Sequence, residues 1–357
     1  MADGLRPQDV ACPRRVCPVT AEPQRRHDHR QRSAAVLQRD HLPSRRTPAA
    51  RVSLTLHLNT SSSPVRRWFT QRLGATRTVV RAANAHLRAG NRTPVNRIIE
   101  PVRAAPPIAP LGDRGLVGHA ADWLLRLCLV DEPPDPGSAA GLGAHQIAMH
   151  NRRARALEVF SDATLRCQSL RPARGQLGGT EWRELCRLCL LLGWLERGSR
   201  AQLGAPKVLD VVGDARGLDR WLERLVRERD VEDLEQLGRA ALEDHADLRD
   251  GRRLVANPMF GLSAALGGAD GDLIAGTTLL DFKSTAATSI VGNIDLWQVV
   301  GYALADVGDE FGITDVGISA LRWRRRITWP LAELLPALAG EPLSIGQARS
   351  EFRDLLA

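Results

Sequence analysis

Hydrophobic and polar positions follow no regular period over residues 1–51, which are rich in Arg, Pro, Gln and His. This segment is expected to be a disordered basic tail, and the abruptness of its end suggests a misassigned start. Ordinary patterning begins at Val52 with the alternating Ser53, Leu54, Thr55, Leu56, His57 and Leu58. Ser63 followed by Pro64 predicts a helix start, with Ser at the N-cap and Pro in the first turn. Helical spacing then runs to about Leu87 with a break near Gly74. Residues 101–112 read as a Pro/Ala-rich linker, 116–130 as a helix, and 131–143, with Pro133, Pro134, Pro136 and three Gly, as a loop. Helical spacing returns over 146–170, 180–196, 218–229 and 231–248, with Leu218, Trp221, Leu222 and Leu225 forming one stripe. From Arg253 the texture changes to short β-type runs, one helix and a further run. The expected class is therefore α/β (α+β): a large N-terminal helical region over 52–250, a compact α/β unit over 251–340, and a C-terminal helix or tail over 341–357.

Composition narrows this picture. A chain of 357 residues has room for about two domains, and 43% apolar with 25% charged residues is a globular balance. The longest apolar run, residues 188–195, is far short of the ~20 residues that a membrane span requires. No apolar signal segment opens the chain, so a soluble, cytoplasmic protein without a membrane partner is expected. Six cysteines over this length do not make a disulfide scaffold. The net charge of +8 is unevenly placed: residues 1–51 hold 11 basic and 5 acidic side chains, and the remainder holds 38 and 36. Basicity is thus weak evidence for a binding face. Only Lys207 and Lys283 are lysines among 49 basic residues, and Tyr302 is the single tyrosine. Rare residues kept in an Arg-rich chain invite a chemical explanation.

The stretch from Asp270 to Thr285 supplies one. Two short apolar runs flank Gly276-Thr277, which predicts a hairpin with Gly first in a type II′ turn. In that register Ala275 faces Thr278, Asp272 faces Asp281 and Asp270 faces Lys283. Alternation puts these four charged residues on one face with Ile274 and Leu279, and Gly271, Leu273, Leu280 and Phe282 on the other. Directly paired positions hold Cβ atoms ~4.5–5.5 Å apart, where two carboxylates repel unless a cation lies between them. A divalent ion with oxygen ligands, such as Mg²⁺, meets that need. Lys283 is a compact charge whose pKa falls readily on desolvation, suited to orienting or deprotonating a water. An ordinary Asp–Lys cross-strand pair is the plainer alternative. Downstream, 293–306 reads as a helix that places Gln298 and Tyr302 at i and i+4 on one face, able to look back at the hairpin.

Asp272, Asp281-x-Lys283 and Gln298-x-x-x-Tyr302, in this order, resemble the PD-(D/E)xK nuclease superfamily in its RecB-like exonuclease branch. The resemblance covers about residues 253–322. The run Asn257-Pro258-Met259-Phe260 up to Gly267-Gly268-Ala269-Asp270 is similar to uncharacterised bacterial members. The resemblance implies a restriction-endonuclease-like αβββαβ core whose last strand is 313–321. It implies Mg²⁺ or Mn²⁺ held by Asp272, Asp281 and the carbonyl of Phe282, and a water positioned by Lys283. Gln298 and Tyr302 would organise the site and hold the DNA end. The expected activity is metal-dependent hydrolysis of DNA phosphodiester bonds in repair or defence against foreign DNA, with a helicase or other DNA-processing protein as a further partner. A non-cleaving nucleic-acid-binding or partner-docking module is the alternative, and a helical interaction protein with an incidental hairpin is a third. The resemblance also implies a helical Glu, for which Glu235, Glu243 and Asp244 stay open, and a G-x-x-x-H ligand. Gly115 to His119 fits that string, although a solvent-facing or capped His is the simpler expectation.

Cys186-x-x-Cys189, with Cys128 and Cys167, has the content of a four-Cys metal or iron–sulfur site, but the i, i+3 spacing inside an apolar helix favours buried core thiols. Arg322 to Arg326 with Trp329 fits either a DNA-tracking strip or a solvated strand end. Pro206 and Phe282 precede the two lysines, so no Walker A motif exists. H-E-x-x-H, G-x-S-x-G and G-x-G-x-x-G are also absent.

Overall fold

The computed structural model describes residues 53–89, 107–130, 138–170, 178–200, 204–249, 251–268 and 271–357. The expected tail 1–51, most of the loop 131–143, half of the linker 101–112 and Asp270 lie outside these residues. The chain is a mixed α/β protein, mostly helical, with one five-stranded sheet.

The elements begin with α1 (Leu54–Asn59), α2 (Pro64–Arg72) and α3 (Thr76–Ala89). The alternating run at the start is helical because Leu54 and Leu58, at i and i+4, are both buried, while Leu56 stays exposed. Ser63 stands at the α2 N-cap before Pro64 as the sequence predicts, although its hydroxyl pairs with His57 Nδ1 at 3.0 Å rather than with the helix backbone. There follow α4 (Arg114–Leu129), α5 (Ala139–His150), α6 (Ala156–Ser169), α7 (Gly179–Arg200), α8 (Gly204–Val212), α9 (Leu218–Leu225) and α10 (Glu228–Asp244). Helix α5 occupies part of the segment expected to be a loop. Its glycines mark close packing rather than a turn: a Cβ at Gly143 would collide with the Leu195 carbonyl of α7.

The sheet has the order β1 (Leu254–Ala256), β2 (Leu273–Ala275), β3 (Thr278–Lys283), β4 (Asp315–Ala320), β5 (Arg325–Pro330). All neighbours are antiparallel except β3 and β4, which are parallel. A parallel pair needs a crossover, and α11 (Asn293–Ala305) supplies it. Helices α12 (Leu331–Ala339) and α13 (Ile345–Leu356) close the chain. The run 313–321 does form a strand, β4, but β5 follows it, so it is not the last.

Packing groups these elements differently from a division at residue 250. One core joins α4 to α10, including Trp123, Trp182 and Trp221. A second joins α1–α3 to α11–α13 and to one sheet face, through Ile274, Leu279, Val316, Ile318, Ile327 and Trp329. A small third cluster, Val130, Leu248, Leu273, Ala275 and Leu280, lies behind the hairpin. Leu54, Phe69 and Leu73 are therefore buried with strands some two hundred residues later, and the described residues from 53 onward form one compact unit. Full burial of such side chains stabilises by ~1.5–3 kcal/mol each, which is why the early helices dock where their apolar stripes fit. No helix among the described residues is long and apolar enough to cross a membrane.

Candidate functional site

The hairpin has the register read from its sequence. Leu273, Ile274 and Ala275 pair with Leu280, Leu279 and Thr278, and Gly276 takes φ +64° while Thr277 keeps a negative φ. Positive φ at the first turn residue alone is the type II′ pattern that glycine permits. Ile274 and Leu279 belong to one core and Leu273, Ala275 and Leu280 to another. Alternation therefore sets Asp281 and Lys283 on the α11 side.

Their contacts agree. Lys283 Nζ lies 2.8 Å from Asp281 Oδ2 and 3.3 Å from Asp295 Oδ1, and it donates to Gln298 Oε1 at 3.1 Å. Asp295 stands in the first turn of α11, where its other oxygen accepts from the Gly292 N–H at 2.8 Å. Gln298 Nε2 donates to Tyr302 Oη at 2.7 Å and to Thr55 Oγ1 at 3.1 Å. Tyr302 is 6% exposed and stacks on Phe260, so it supports Gln298 from beneath and does not reach the surface. Asp281 is 3% exposed, and its Oδ2 accepts no aligned hydrogen bond. Its close partner there is Lys283 Nζ at 2.8 Å.

Burial pushes the Asp281 carboxyl up to about 7, against the pull of Lys283 and with added repulsion from Asp272. For Lys283, burial works downward, but the attraction of Asp281 and Asp295 outweighs it and the net shift is upward. The ammonium is thus held charged, which suits orientation of a water and not removal of its proton.

Asp272, the residue before β2, lies near enough to Asp281 to repel its carboxylate. Its Oδ2 accepts from the Phe282 N–H at 2.6 Å, which ties the two strands at the site. Its Oδ1 lies 3.6 Å from Arg126 Nη2. Arg126 comes from α4, where it grips Asp122 one turn earlier, with Nε donating at 2.9 Å. Its Nη1 donates to Asn257 Oδ1 at 2.9 Å. Burial, with repulsion from Asp272 and Glu196, raises the Asp122 carboxyl well above its ordinary range despite Arg126.

Sequence reasoning missed Asp122, Arg126, Asn257, Asp295 and Thr55. Asp295, third residue of the α11 start, was open to recognition as a helix-start acid. Asp122 and Arg126 had only an i, i+4 signal. The open candidates for a helical acid are engaged elsewhere: Glu235 pairs with Arg183, and Glu243 and Asp244 pair with Arg324. His119 is partly exposed, with Nδ1 3.2 Å from Glu196 Oε1. Neighbouring Gly118 lies so near β3 that a Cβ there would stand 2.5 Å from Ser284 Oγ.

Two further sequence candidates resolve as scaffold. Cys186 and Cys189 are buried in α7, and burial pushes both thiols well up. The run from Arg322 to Arg326 is not a solvated strip. Arg322 is fully buried on Asp233, Arg324 holds Glu243 and Asp244, Arg325 donates to the Leu87 carbonyl, and Arg326 holds Asp247. These guanidiniums are spent on α10, α3 and the turn after α10.

Fold and site together define a mixed α/β protein with an acid–lysine–glutamine cluster at the mouth of a hairpin. Comparison of the chain with family models, with curated proteins and with solved structures finds no match.

Proposed function

We propose that this chain is a Mg²⁺- or Mn²⁺-dependent nuclease of the PD-(D/E)xK type, RecB-like in its motif order, which hydrolyses DNA phosphodiester bonds. One observation carries the reading: the buried Asp281 carboxylate sits against the Lys283 ammonium at 2.8 Å and close enough to Asp272 to be repelled by it. Two neighbouring carboxylates repel, and a bound cation relieves that repulsion. The strand order, the α11 crossover and the helical acid Asp122 beside Asp272 support an αβββαβ-type core to which β5 is added.

The donors fit a hard divalent ion, because carboxylate and carbonyl oxygens are its preferred ligands. Asp272, Asp281 and the carbonyl of Phe282 would hold it. When bound, such an ion supplies Lewis-acid charge to a phosphate oxygen. Lys283, kept protonated, orients the attacking water by donating to it. Asp295 and Gln298 fix the ammonium, and Tyr302 and Thr55 fix Gln298, so little reorganisation is needed during reaction. The new bond joins the water oxygen to phosphorus, with that water's proton passing to solvent, as the bond to the leaving 3′ oxygen breaks. A proton from solvent neutralises that oxygen.

The test is cleavage of single-stranded, blunt and branched DNA with Mn²⁺. Lys283→Ala and Asp281→Ala should each lower the rate by at least about 10²–10³-fold with unchanged circular dichroism. Parental rates in either variant would remove the reading.

A second reading has its own observation. Arg126 already sits on Asp122 and Asp272, Lys283 on Asp281, and among the described residues no three His, Cys, Asp or Glu side chains group as a metal cage. This favours a nuclease fold retained for nucleic-acid binding or partner docking without cleavage. Calorimetry separates the two: heat of Mn²⁺ binding that disappears in Asp281→Ala supports the enzyme, and DNA binding without any Mn²⁺ heat supports the module.

A further inference from the structure

We infer that the outer face of α3 is a track for the phosphate backbone of a single nucleic-acid strand, leading it to the Asp272–Asp281–Lys283 cluster. The destination rests on the hydrolytic reading above; the track itself rests on charge and geometry.

Residues 53–89 contain six Arg and no Asp or Glu, whereas the chain's mean density, 41 acids in 357 residues, would place about four acids there. The segment's net charge is +6, while residues 90–357 hold 32 basic and 36 acidic side chains. The modest surplus beyond the tail is thus a strongly basic helical trio set against an acidic remainder.

Two of the six Arg are used internally. Arg72 is taken by Glu341 and Glu351, and Arg66 donates to the Leu58 carbonyl and lies over the Trp297 ring. Arg67, Arg77, Arg81 and Arg88 are exposed. Arg88 reaches the Thr288 carbonyl at 2.9 Å; the other three make no side-chain hydrogen bond or ion pair among the described residues.

At 100° per residue, Arg77, Arg81 and Arg88 fall within about 40° of one line, spaced ~6 and ~10 Å along the axis. Val79, Ala83 and Leu87 bury the opposite side. The line ends at the segment that follows Lys283. Asn84 accepts there from the N–H groups of Ile290 and Val291 and donates to the Val291 carbonyl, beside the Arg88–Thr288 contact. A one-sign row of exposed guanidiniums matches a polyanion, and Arg suits phosphate oxygens by its planar fork. The row's approach to the segment after Lys283 favours a nucleic-acid strand over an acidic protein segment.

The experiment follows the anisotropy of a fluorescein-labelled oligonucleotide of about twenty nucleotides, with the full chain, in chelator and over a range of salt. Arg77→Ala/Arg81→Ala should bind about tenfold more weakly at about 50 mM salt, and its salt slope should be shallower by about 1.4, from ~0.7 per lost phosphate contact. Arg77→Lys/Arg81→Lys should keep the slope. Protection of Arg77 and Arg81 from phenylglyoxal by the oligonucleotide gives a readout on the unaltered chain, independent of any variant's folding. Unchanged slope and affinity in the Ala variant, equal modification with and without DNA, or no binding by the parent would each overturn the track. Loss of binding in the Ala variant without any Mn²⁺-dependent hydrolysis by the parent upholds the track and removes the hydrolytic reading. Hydrolysis with an unchanged slope does the reverse.

Discussion

Two buried ion pairs meet at one end of the sheet and differ in what they leave over. Arg322 is fully buried, with Nη1 and Nη2 on the two oxygens of Asp233 at 2.8 and 2.9 Å and Nε on the Ser284 carbonyl at 2.8 Å. Asp233 also takes the Gly112 N–H. One residue before Ser284, Lys283 divides a single ammonium among Asp281, Asp295 and Gln298, where Asp233 takes a forked guanidinium and a backbone N–H. The first pair is saturated and locks α10 to the strand end. The second is incomplete, which is costly in a closed core and useful where a further cation or a substrate completes it. Saturation, more than burial, distinguishes the two pairs.

The sharpest break of that comparison is functional. Loss of Lys283 or Asp281 should remove hydrolysis by 10²–10³-fold or more, as above, whereas the unfolding midpoint of Asp281→Asn in chelator should be unchanged or higher, because an acid ionised at a cost is gone. A clearly lower midpoint would show Asp281 to be structural like Asp233. Next in size, Arg322→Met strands Asp233 in the core and should cost ~3–5 kcal/mol, read as a lower urea midpoint at constant slope. A cost below ~1 kcal/mol would mean that the pair is not the lock described.

The two sides should also respond to pH with opposite sign. His245 of the α10 side donates to the Ala241 carbonyl and pairs with Ser319 Oγ, and burial, with repulsion from Arg326, lowers it from 6.5 to about 4. Between those values the unfolded chain binds the extra proton, so stability falls as pH drops, by about 3 kcal/mol over the full window. Asp281 is raised from 3.8 to about 7, so there the folded chain holds the extra proton and stability falls as pH rises. Urea midpoints between pH 4 and 7 should therefore climb more steeply with pH in Asp281→Asn than in the parent, and less steeply in His245→Gln. Parallel curves for all three would contradict both assignments. The smallest effect is Tyr302→Phe: Gln298 loses one acceptor, and the rate should fall several-fold with a stability change of ~1 kcal/mol. A variant as inactive as Lys283→Ala would instead place Tyr302 in the chemistry.

Much of the site was legible because its rules are local. The turn at Gly276, the pairing of Leu273 to Ala275 with Thr278 to Leu280, and the Gln298–Tyr302 step depend on period two and on i, i+4 spacing, which neighbouring residues enforce. Helix α5 was hidden because glycines that permit contact with α7 look, in one dimension, like glycines that turn a loop. The arginines of 322–326 resembled a binding strip, since only folding brings Asp233, Asp244 and Asp247 to them. The basic trio α1–α3 was averaged away in a near-neutral total.

The sequence by itself determined the hairpin, its turn and its register, because strand alternation and turn geometry need no distant partner. Tertiary structure alone decided which charges are quenched. Asp122 and Arg126 arrive at Asp272 from about 150 residues away, and Thr55 reaches Gln298 from 243. Coulomb and hydrogen-bond energies depend on distances that only the packed core sets.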